Sequence, residues 1–369
     1  MKADAIVIGA GIHGCSVALH LARSGIEPVV FEQSYPGRHA SGVNAGGVRR
    51  LGRHFSEVPL SVAAMKLWWN IRELVDDDCG FESSGQVKVA ESETEFELLE
   101  NRVKSLSLKG YEHEEIITQS ELKQRIPAIS DHCCGAILCR GDGHAKPFRT
   151  VRAFHAASVR AGARFFHGQA VEGIERTGQT WKVTTRDFTC EAPLLINCAG
   201  AWGNQIAALL GEPVPLRPTA LMLMISERLP HFCTPVVGAT NRTLSFKQFG
   251  NGTVLIGGGL QGYVDMARQH GHVDITELAV NARTARDIFP LMEKARIVRC
   301  WAGIEGVTPD QIPVIGASST YPDAYHVFGF SAHGFQLGPI TGSIISDLVN
   351  HQSTELPIED FAIQRFVNA

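Results

Sequence analysis

The apolar run Ile6-Val7-Ile8 feeds straight into Gly9-Ala10-Gly11-Ile12-His13-Gly14. Helical spacing follows through Val17, Ala18, Leu19 and Leu21, then a turn at Ser24-Gly25, then a second apolar run from Pro28 to Phe31 that ends on Glu32. Strand, Gly-x-Gly-x-x-Gly, helix, strand and acid in this order leave few folds open. Gly9 permits the sharp turn, Gly11 removes the side chain that would keep a pyrophosphate off the backbone, and Gly14 lets the helix lie on the sheet. Unpaired amides at the helix start face the phosphates. Glu32 is placed to accept hydrogen bonds from a ribose and repels a 2′-phosphate, so NADP is disfavoured while FAD and NAD both remain open.

The rest of the chain must complete a sheet around this unit. Leu194-Leu195-Ile196-Asn197 is nearly all apolar, as a strand buried on both faces requires, and it runs into Cys198-Ala199-Gly200-Ala201-Trp202. Small residues at such a strand end, Gly200 above all, bring backbone close to a ligand. A second glycine cluster, Ser41-Gly42 to Gly46-Gly47, follows the first unit; the segment 33–50 reads as a loop too glycine-rich for a stable helix throughout. Pro59 to Val75 has helical spacing, as do Glu93 to Leu106, Pro147 to Ala161 and Asp274 to Phe289. From Pro218 the pattern turns to antiparallel strands, with Gly250-Asn251-Gly252 joining two of them as a hairpin. Met222 and Met224 alternate with leucines as core residues, and a closing helix is expected from Ile340 to Val349.

A chain of 369 residues suggests two domains. Net charge −4 and the absence of a basic stripe give a nucleic-acid partner no electrostatic support. No apolar run is long enough for an integral membrane segment, and Met1 to Asp4 passes directly into a core strand without room for a cleavable signal, so a cytoplasmic location is expected. The nine cysteines lack paired metal spacing and read as small buried hydrophobes; no metal site is expected.

With its separated glycine clusters the chain resembles the D-amino-acid oxidase-like (DAO) family of FAD-dependent oxidoreductases, which includes hydroxyproline dehydrogenases, sarcosine and glycine oxidases, and the flavin subunits of opine oxidases and hydrogen cyanide synthase. The resemblance spans nearly the whole chain. It rests on the N-terminal fingerprint with Glu32, on Asn197 to Trp202, on Trp301-Ala302-Gly303 followed by Thr308-Pro309-Asp310, Pro313 and Gly316, and on Gly329-Phe330-Ser331-Ala332-His333-Gly334. It implies an α/β fold: a discontinuous, Rossmann-like FAD-binding domain from residues 1–80, 144–215 and 300–369, and a mixed or antiparallel-sheet substrate domain from 81–143 and 216–299.

The resemblance also distributes the cofactor. Gly9, Gly11, Gly14 and Glu32 would hold its ADP half and Val171 would meet the adenine. Ser41 and Gly42 would face the pyrophosphate, and Gly46 and Gly47 the flavin. Gly200, Trp202 and Gly303 belong to the same surface. Gly329, Ser331, His333 and Gly334, with Phe335, Gln336 and Leu337, would close over the pyrimidine side of the ring. Relatives that hold flavin covalently use a cysteine in the C-terminal segment or a histidine near residue 147; here Thr308-Pro309-Asp310 lacks that cysteine and Pro147 stands at the other position, so noncovalent FAD is expected.

The implied chemistry is removal of a hydride from the carbon bearing an amine, with flavin N5 as acceptor and an imine as product. A carboxylate substrate needs a cation, and Arg49 is the first choice. Lys247 is expected on a strand facing the cleft, and His333 and Gln336 within hydrogen-bonding reach of flavin or substrate. Glu305, Tyr263 and Arg50 are weaker candidates. The preferred substrate is a small amino or imino acid, D-hydroxyproline or D-proline first. The alternatives are a sarcosine- or glycine-type oxidase that uses oxygen, and the flavin subunit of an opine oxidase complex with partner subunits. A flavin-bearing assembly or electron-transfer subunit without a catalytic pocket, and a nicotinamide dehydrogenase, are the remaining readings, and the electron acceptor is left unassigned.

Overall fold

The computed structural model describes residues 1–366. Its first sheet has six strands in the order Val314–Ala317, Ala324–Phe328, Leu194–Asn197, Ala5–Ile8, Pro28–Glu32 and Arg164–His167. Four of the five pairings are parallel and the one between Val314–Ala317 and Ala324–Phe328 is antiparallel. Ala5 to Ile8 is buried throughout because both faces are covered. Ala5, Val7 and Val30 pack with the helices Ile12–Arg23 and Pro147–Arg160, while Ile6, Ile8, Val29 and Phe31 pack with Trp181, Val183 and Cys190 of a three-stranded antiparallel ribbon. The sheet is therefore assembled from the beginning, middle and end of the chain.

A second, ten-stranded sheet is built around Arg217–Arg228. On one side this strand pairs with Gln261–Asp265 and Thr253–Gly257, and on the other with Ile297–Val307 along nearly its full length. The expected hairpin Ser245–Gln248 to Thr253–Gly257 is present. Gln86–Ala90, Glu115–Thr118 and Gly135–Cys139 extend the same sheet through Val236–Ala239. Met222, Met224, Val87, Val89 and Phe246 face an apolar core covered by the helix Ile275–Ile288, so the two methionines are core residues. Alternation turns Gln86, Lys88, Leu221, Leu223 and Ser245 to the opposite face, towards the first sheet.

Four expectations change. The helix expected over Pro59 to Val75 is two helices, Val58–Trp69 and Ile71–Val75, broken at Asn70, whose backbone leaves the helical region. The glycine-rich loop contains one helical turn, Ala40–Val43. The closing helix starts at Gly334 and runs to His351, with Pro339 inside it. Proline lacks an amide hydrogen and so reads as a helix boundary; Pro339 leaves the Phe335 carbonyl without its i+4 amide, and the helix continues through it because Gly338 and Gly342 pack it closely on Ile12 and Ser16. Residue 300, expected as a domain boundary, lies within the strand Ile297–Val307, because Trp301-Ala302-Gly303 continues the ladder instead of ending it.

The C-terminal ends of two parallel strands are joined by a buried polar chain. Asn197 Nδ2 lies 3.2 Å from His326 Nδ1 and donates to the Gly203 carbonyl at 2.8 Å. His326 Nε2 lies 3.1 Å from Glu212 Oε2, and Glu212 also accepts from Ser318 Oγ at 2.5 Å and the Ser319 amide at 2.5 Å. This chain sets the turn after Asn197. Burial alone would raise the Glu212 pKa, but His326, Ser318 and Ser319 outweigh it and hold the carboxyl at about 2. Replacing Glu212 by Gln should cost about 3 kcal/mol of unfolding free energy in urea titrations, since it leaves buried partners unmatched. Because the folded-state pKa is depressed, the wild-type contribution should be complete above about pH 5 and fade as the pH falls towards 2.

Candidate functional site

Between the two sheets runs one continuous cavity of about 840 Å³. Its first end is the turn after Ala5–Ile8. Gly9 has φ +101°, and a Cβ there would lie 2.5 Å from the Cys198 carbonyl oxygen; one on Gly14 would lie 1.9 Å from the Gly9 carbonyl oxygen. Only glycine allows the helix Ile12–Arg23 to begin so close under the strand ends. Ser41 Oγ accepts from the Ile12 amide at 3.0 Å, which ties the second glycine cluster to the helix start. Glu32 accepts from the Ala10 and Ser34 amides at 2.8 Å each, so its carboxylate is fixed at the cavity wall. Burial nevertheless raises its pKa despite those two amides.

Most residues expected to hold a cofactor do line this cavity. Gly9, Gly11, Glu32 and Val171 are at one end, with Ser41, Gly200 and Trp202 beyond them. Gly46, Gly47 and Gly303 continue the wall, and Gly329, Ser331, His333, Gly334 and Phe335 complete it. Gly14 lies beneath the wall as a packing glycine, as its place in the fingerprint implies. Gly42 is also a packing position: a Cβ would come 1.9 Å from the Gly37 carbonyl oxygen.

Three further residues sit elsewhere than expected. Gln336 and Leu337 are buried in the first turn of the last helix and point away from the cavity. Gln336 Oε1 accepts from Arg53 Nη2 at 3.1 Å, its Nε2 donates to the Ser61 carbonyl at 2.9 Å, and its carbonyl accepts from Trp68 Nε1 at 2.7 Å. Lys247 shares the cleft-facing side of its strand, but its Nζ is buried behind the loop and donates to the Ala45 carbonyl. Burial lowers the Lys247 pKa to about 7, with Glu82 opposing. Of the weaker candidates, Glu305 lines the cavity. Arg50 instead pairs with Asp142 at 2.9 Å, and Tyr263 is exposed and bonded to Asp274.

The wall beyond the glycines is cationic. Arg49 and Lys88 both line the cavity, and among the described residues neither has a carboxylate within salt-bridge distance. Arg49 Nη1 donates to the Leu51 carbonyl at 2.5 Å. Burial lowers the pKa of both, and for Lys88 the Arg49 charge adds to the effect. Two half-buried like charges facing one space favour an anion between them.

Behind this wall lies a group that sequence reasoning missed. Arg53 is 1% exposed; Nη1 donates to the His333 carbonyl at 2.9 Å and Nε to the Arg49 carbonyl at 3.1 Å. Glu57 lies 3.7 Å from Arg53 and 3.4 Å from His333 Nδ1, with no exposed surface. Burial would raise the Glu57 pKa, but His333, Arg53 and Arg49 together bring it to about 2. The i,i+4 spacing of Arg53 and Glu57 was the available signal. His13 was also missed: its ring stacks on Phe330 at 3.7 Å, and burial lowers its pKa to about 3, so it is neutral.

A family model described as FAD dependent oxidoreductase (DAO) matches residues 4–348. An opine oxidase subunit of Rhizobium meliloti is 27% identical over 376 residues, covering 99% of this chain and 98% of that one. Glycine oxidase of Bacillus licheniformis is 27% identical over 383 residues, covering 98% and 97%. The crystal structure of L-proline dehydrogenase from P. horikoshii superposes with a TM-score of 0.91 at 25% identity, covering 100% of this chain and 98% of that one.

Replacing Arg53 by Ala should destabilise the protein by about 3 kcal/mol, because it leaves the Glu57 charge and three acceptors buried without their donor. Thermal melts would measure it. Since Glu57 is depressed to about 2, its stabilisation in the wild type should hold above about pH 5 and be lost as the pH falls towards 2; Arg53→Ala should flatten that acid limb.

Proposed function

Because the chain belongs to the FAD dependent oxidoreductase family, we propose that it binds FAD noncovalently along the cavity and oxidises the C–N bond of a small amino or imino acid, D-hydroxyproline or D-proline first. The chain is an FAD-dependent oxidoreductase, and the family chemistry acts on amino- and imino-acid C–N bonds. The observation that carries the finer reading is the pairing, in one cavity, of a glycine-lined cradle with the cations Arg49 and Lys88, which have no carboxylate partner among the described residues. The cradle fits the cofactor: the close approaches at Gly9 and Gly14 and the fixed Glu32 carboxylate suit an ADP group. Cys198 is the one cysteine among the described lining residues, and it lies under the Gly9 turn, which favours noncovalent attachment.

FAD held there would supply the oxidant for removing a hydride from the carbon that carries the nitrogen. The protein's share is placement. Arg49 holds the substrate carboxylate through the guanidinium face left free by its Leu51 contact, and Lys88 adds a second positive charge. Arg53 and Glu57 fix the Arg49 carbonyl and the His333 loop, so that the wall does not rearrange on binding. The near-complete superposition with a proline dehydrogenase supports an imino-acid substrate. The full-length likeness to an opine oxidase subunit supports a second reading, in which the chain is a flavin subunit that acts with partner chains.

An anaerobic screen of D- and L-amino and imino acids tests the proposal. D-hydroxyproline or D-proline should abolish the oxidised-flavin absorbance of the isolated chain. Bleaching by sarcosine or glycine alone replaces the substrate assignment, and bleaching only after partner subunits are added selects the second reading. Arg49→Met should keep its flavin and raise the substrate concentration for half-maximal reduction about tenfold to a hundredfold, the worth of one charge-assisted hydrogen-bonded pair.

A further inference from the structure

We propose that Glu305 is a catalytic base of this site, taking the proton from the substrate ammonium and leaving the nitrogen with the lone pair that C–N oxidation needs. The inference rests on the reading of the cavity as an amino- or imino-acid site. Alternation along Ile297–Val307 puts Trp301, Gly303 and Glu305 on one face. That face is pressed against the turn Ala40–Val43: Trp301 Nε1 donates to the Val43 carbonyl at 2.9 Å, and a Cβ on Gly303 would lie 2.2 Å from Val43 Cγ2. The next side chain on the face, Glu305, enters the cavity. On its other flank the strand is held to the loop Gly329–His333 by the Val307–Phe330 bridge and by the Ser331 amide, which donates to the Gly306 carbonyl at 3.3 Å.

Among the described residues only two acids line the cavity, Glu32 and Glu305. Both Glu32 oxygens already accept backbone amides at the far end. Glu305 has no ion pair among the described residues, and the Ala332 amide is its one polar influence. The charged or titratable groups on the surrounding elements are His13 at the helix start, Arg38 and His39 just before the turn Ala40–Val43, Arg49 and Arg53 on the loop after Gly47, Lys88 on its strand, Arg242 before Ser245–Gln248, and His333. The residue paired with Glu305 across the sheet is Thr219, and the turn Ala40–Val43 carries no charge. None of these charges holds the Glu305 carboxylate ionised; burial dominates and pushes its pKa up to about 8. A base of that affinity is matched to amine chemistry near neutral pH.

The step balances within the site. The substrate N–H bond breaks as the Glu305 O–H bond forms, with the proton passing from nitrogen to carboxylate. The nitrogen lone pair then makes the C=N bond as the α-hydrogen leaves with its two electrons to the flavin, the family's oxidant. Because the base must be ionised to act, its contribution rises with pH through its pKa.

The test compares wild-type holoenzyme with Glu305→Gln and Glu305→Asp in anaerobic rapid-mixing experiments across pH. The apparent second-order rate of flavin reduction by the wild type should rise through an inflection near 8. Glu305→Gln should lose the inflection and be about 100-fold slower at pH 7, the lower end of general-base contributions, recovering towards the wild type at high pH where the free amine predominates. Glu305→Asp should retain an inflection. Independently of turnover, carbon-13 NMR of glutamate-labelled holoenzyme should show one carboxyl titrating near 8 that is missing from Glu305→Gln. An inflection near 8 that persists in Glu305→Gln, an equal rate loss at every pH, or a Glu305 carboxyl that titrates in the ordinary acid range overturns the assignment while leaving the functional reading intact. If no amino or imino acid bleaches the wild type at any pH, the functional reading fails and the role of Glu305 fails with it.

Discussion

The helix Ile12–Arg23 is clamped on two sides by contacts that tolerate no side chain, and the cavity depends on that clamp. Beneath it, a Cβ on Gly14 would meet the Gly9 carbonyl oxygen at 1.9 Å; above it, a Cβ on Gly338 would meet Ile12 Cδ1 at 2.5 Å and one on Gly342 would meet the Ser16 main-chain oxygen at 2.4 Å. Three glycines from opposite ends of the chain thus bring a strand, a helix and the last helix into close packing. Ser16 Oγ donating to the Pro339 carbonyl at 3.2 Å and His13 Nδ1 lying 2.9 Å from Thr341 Oγ1 fix the rotation of the two helices. Gly334 and Phe335, which close one wall of the cavity, are therefore positioned by the same helix whose start also lines it; a Cβ on Gly334 would lie 2.8 Å from His13 Nε2.

That dependence explains which parts of the fold were legible in the sequence. Each residue from Ile6 to Glu32 answers to its near neighbours: alternation, a sharp turn, a helix start and an acid at the next strand end all lie within one local unit. Gly338 and Gly342 are spaced one helical turn apart, but what they accommodate lies more than three hundred residues away, so spacing alone could not distinguish a packing face from a break. Pro339 strengthened the wrong alternative. The helix start was placed after it, and Gln336 consequently read as a loop residue facing flavin, although its side chain is enclosed between Arg53 and Ser61.

The same limit applies to the site. The glycines lining the cavity were found because backbone access leaves a compositional trace. Lys247 was assigned to the correct face of its strand, but a face says nothing about where a long side chain ends, and its Nζ is consumed by the Ala45 carbonyl. Arg53 and Glu57 carry ordinary charges in a sequence with 34 Lys and Arg and 38 Asp and Glu. Their i,i+4 spacing is shared by many surface pairs, so it is burial that singles them out, and burial is a property of the assembled structure. Lys88 is legible as one position of an alternating strand, yet its meaning depends on Arg49 facing the same space from a different part of the chain.

The loop between Phe330 and His333 shows why so much buried charge is gathered there. Ser331 and Ala332 have φ of +48° and +71°, in the left-handed region that non-glycine residues enter at a cost of about 1–2 kcal/mol each. Neither position carries the asparagine or aspartate that eases this conformation. The loop keeps its shape because contacts on every side specify it: Arg53 Nη1 on the His333 carbonyl at 2.9 Å, the Thr308 amide on Ser331 Oγ at 3.2 Å, and the Ser331 amide on the Gly306 carbonyl at 3.3 Å. Arg53 needs Glu57 to be tolerated in the interior, and Glu57 needs His333 at its other oxygen. The strain thus turns the Ala332 amide towards Glu305 and presents His333 and Gly334 to the cavity. The buried ions are thereby explained as the restraint on a wall that must not relax, since a relaxed loop would release both the strain and the orientation of Glu305, the acid that the cavity leaves without an ionic partner among the described residues.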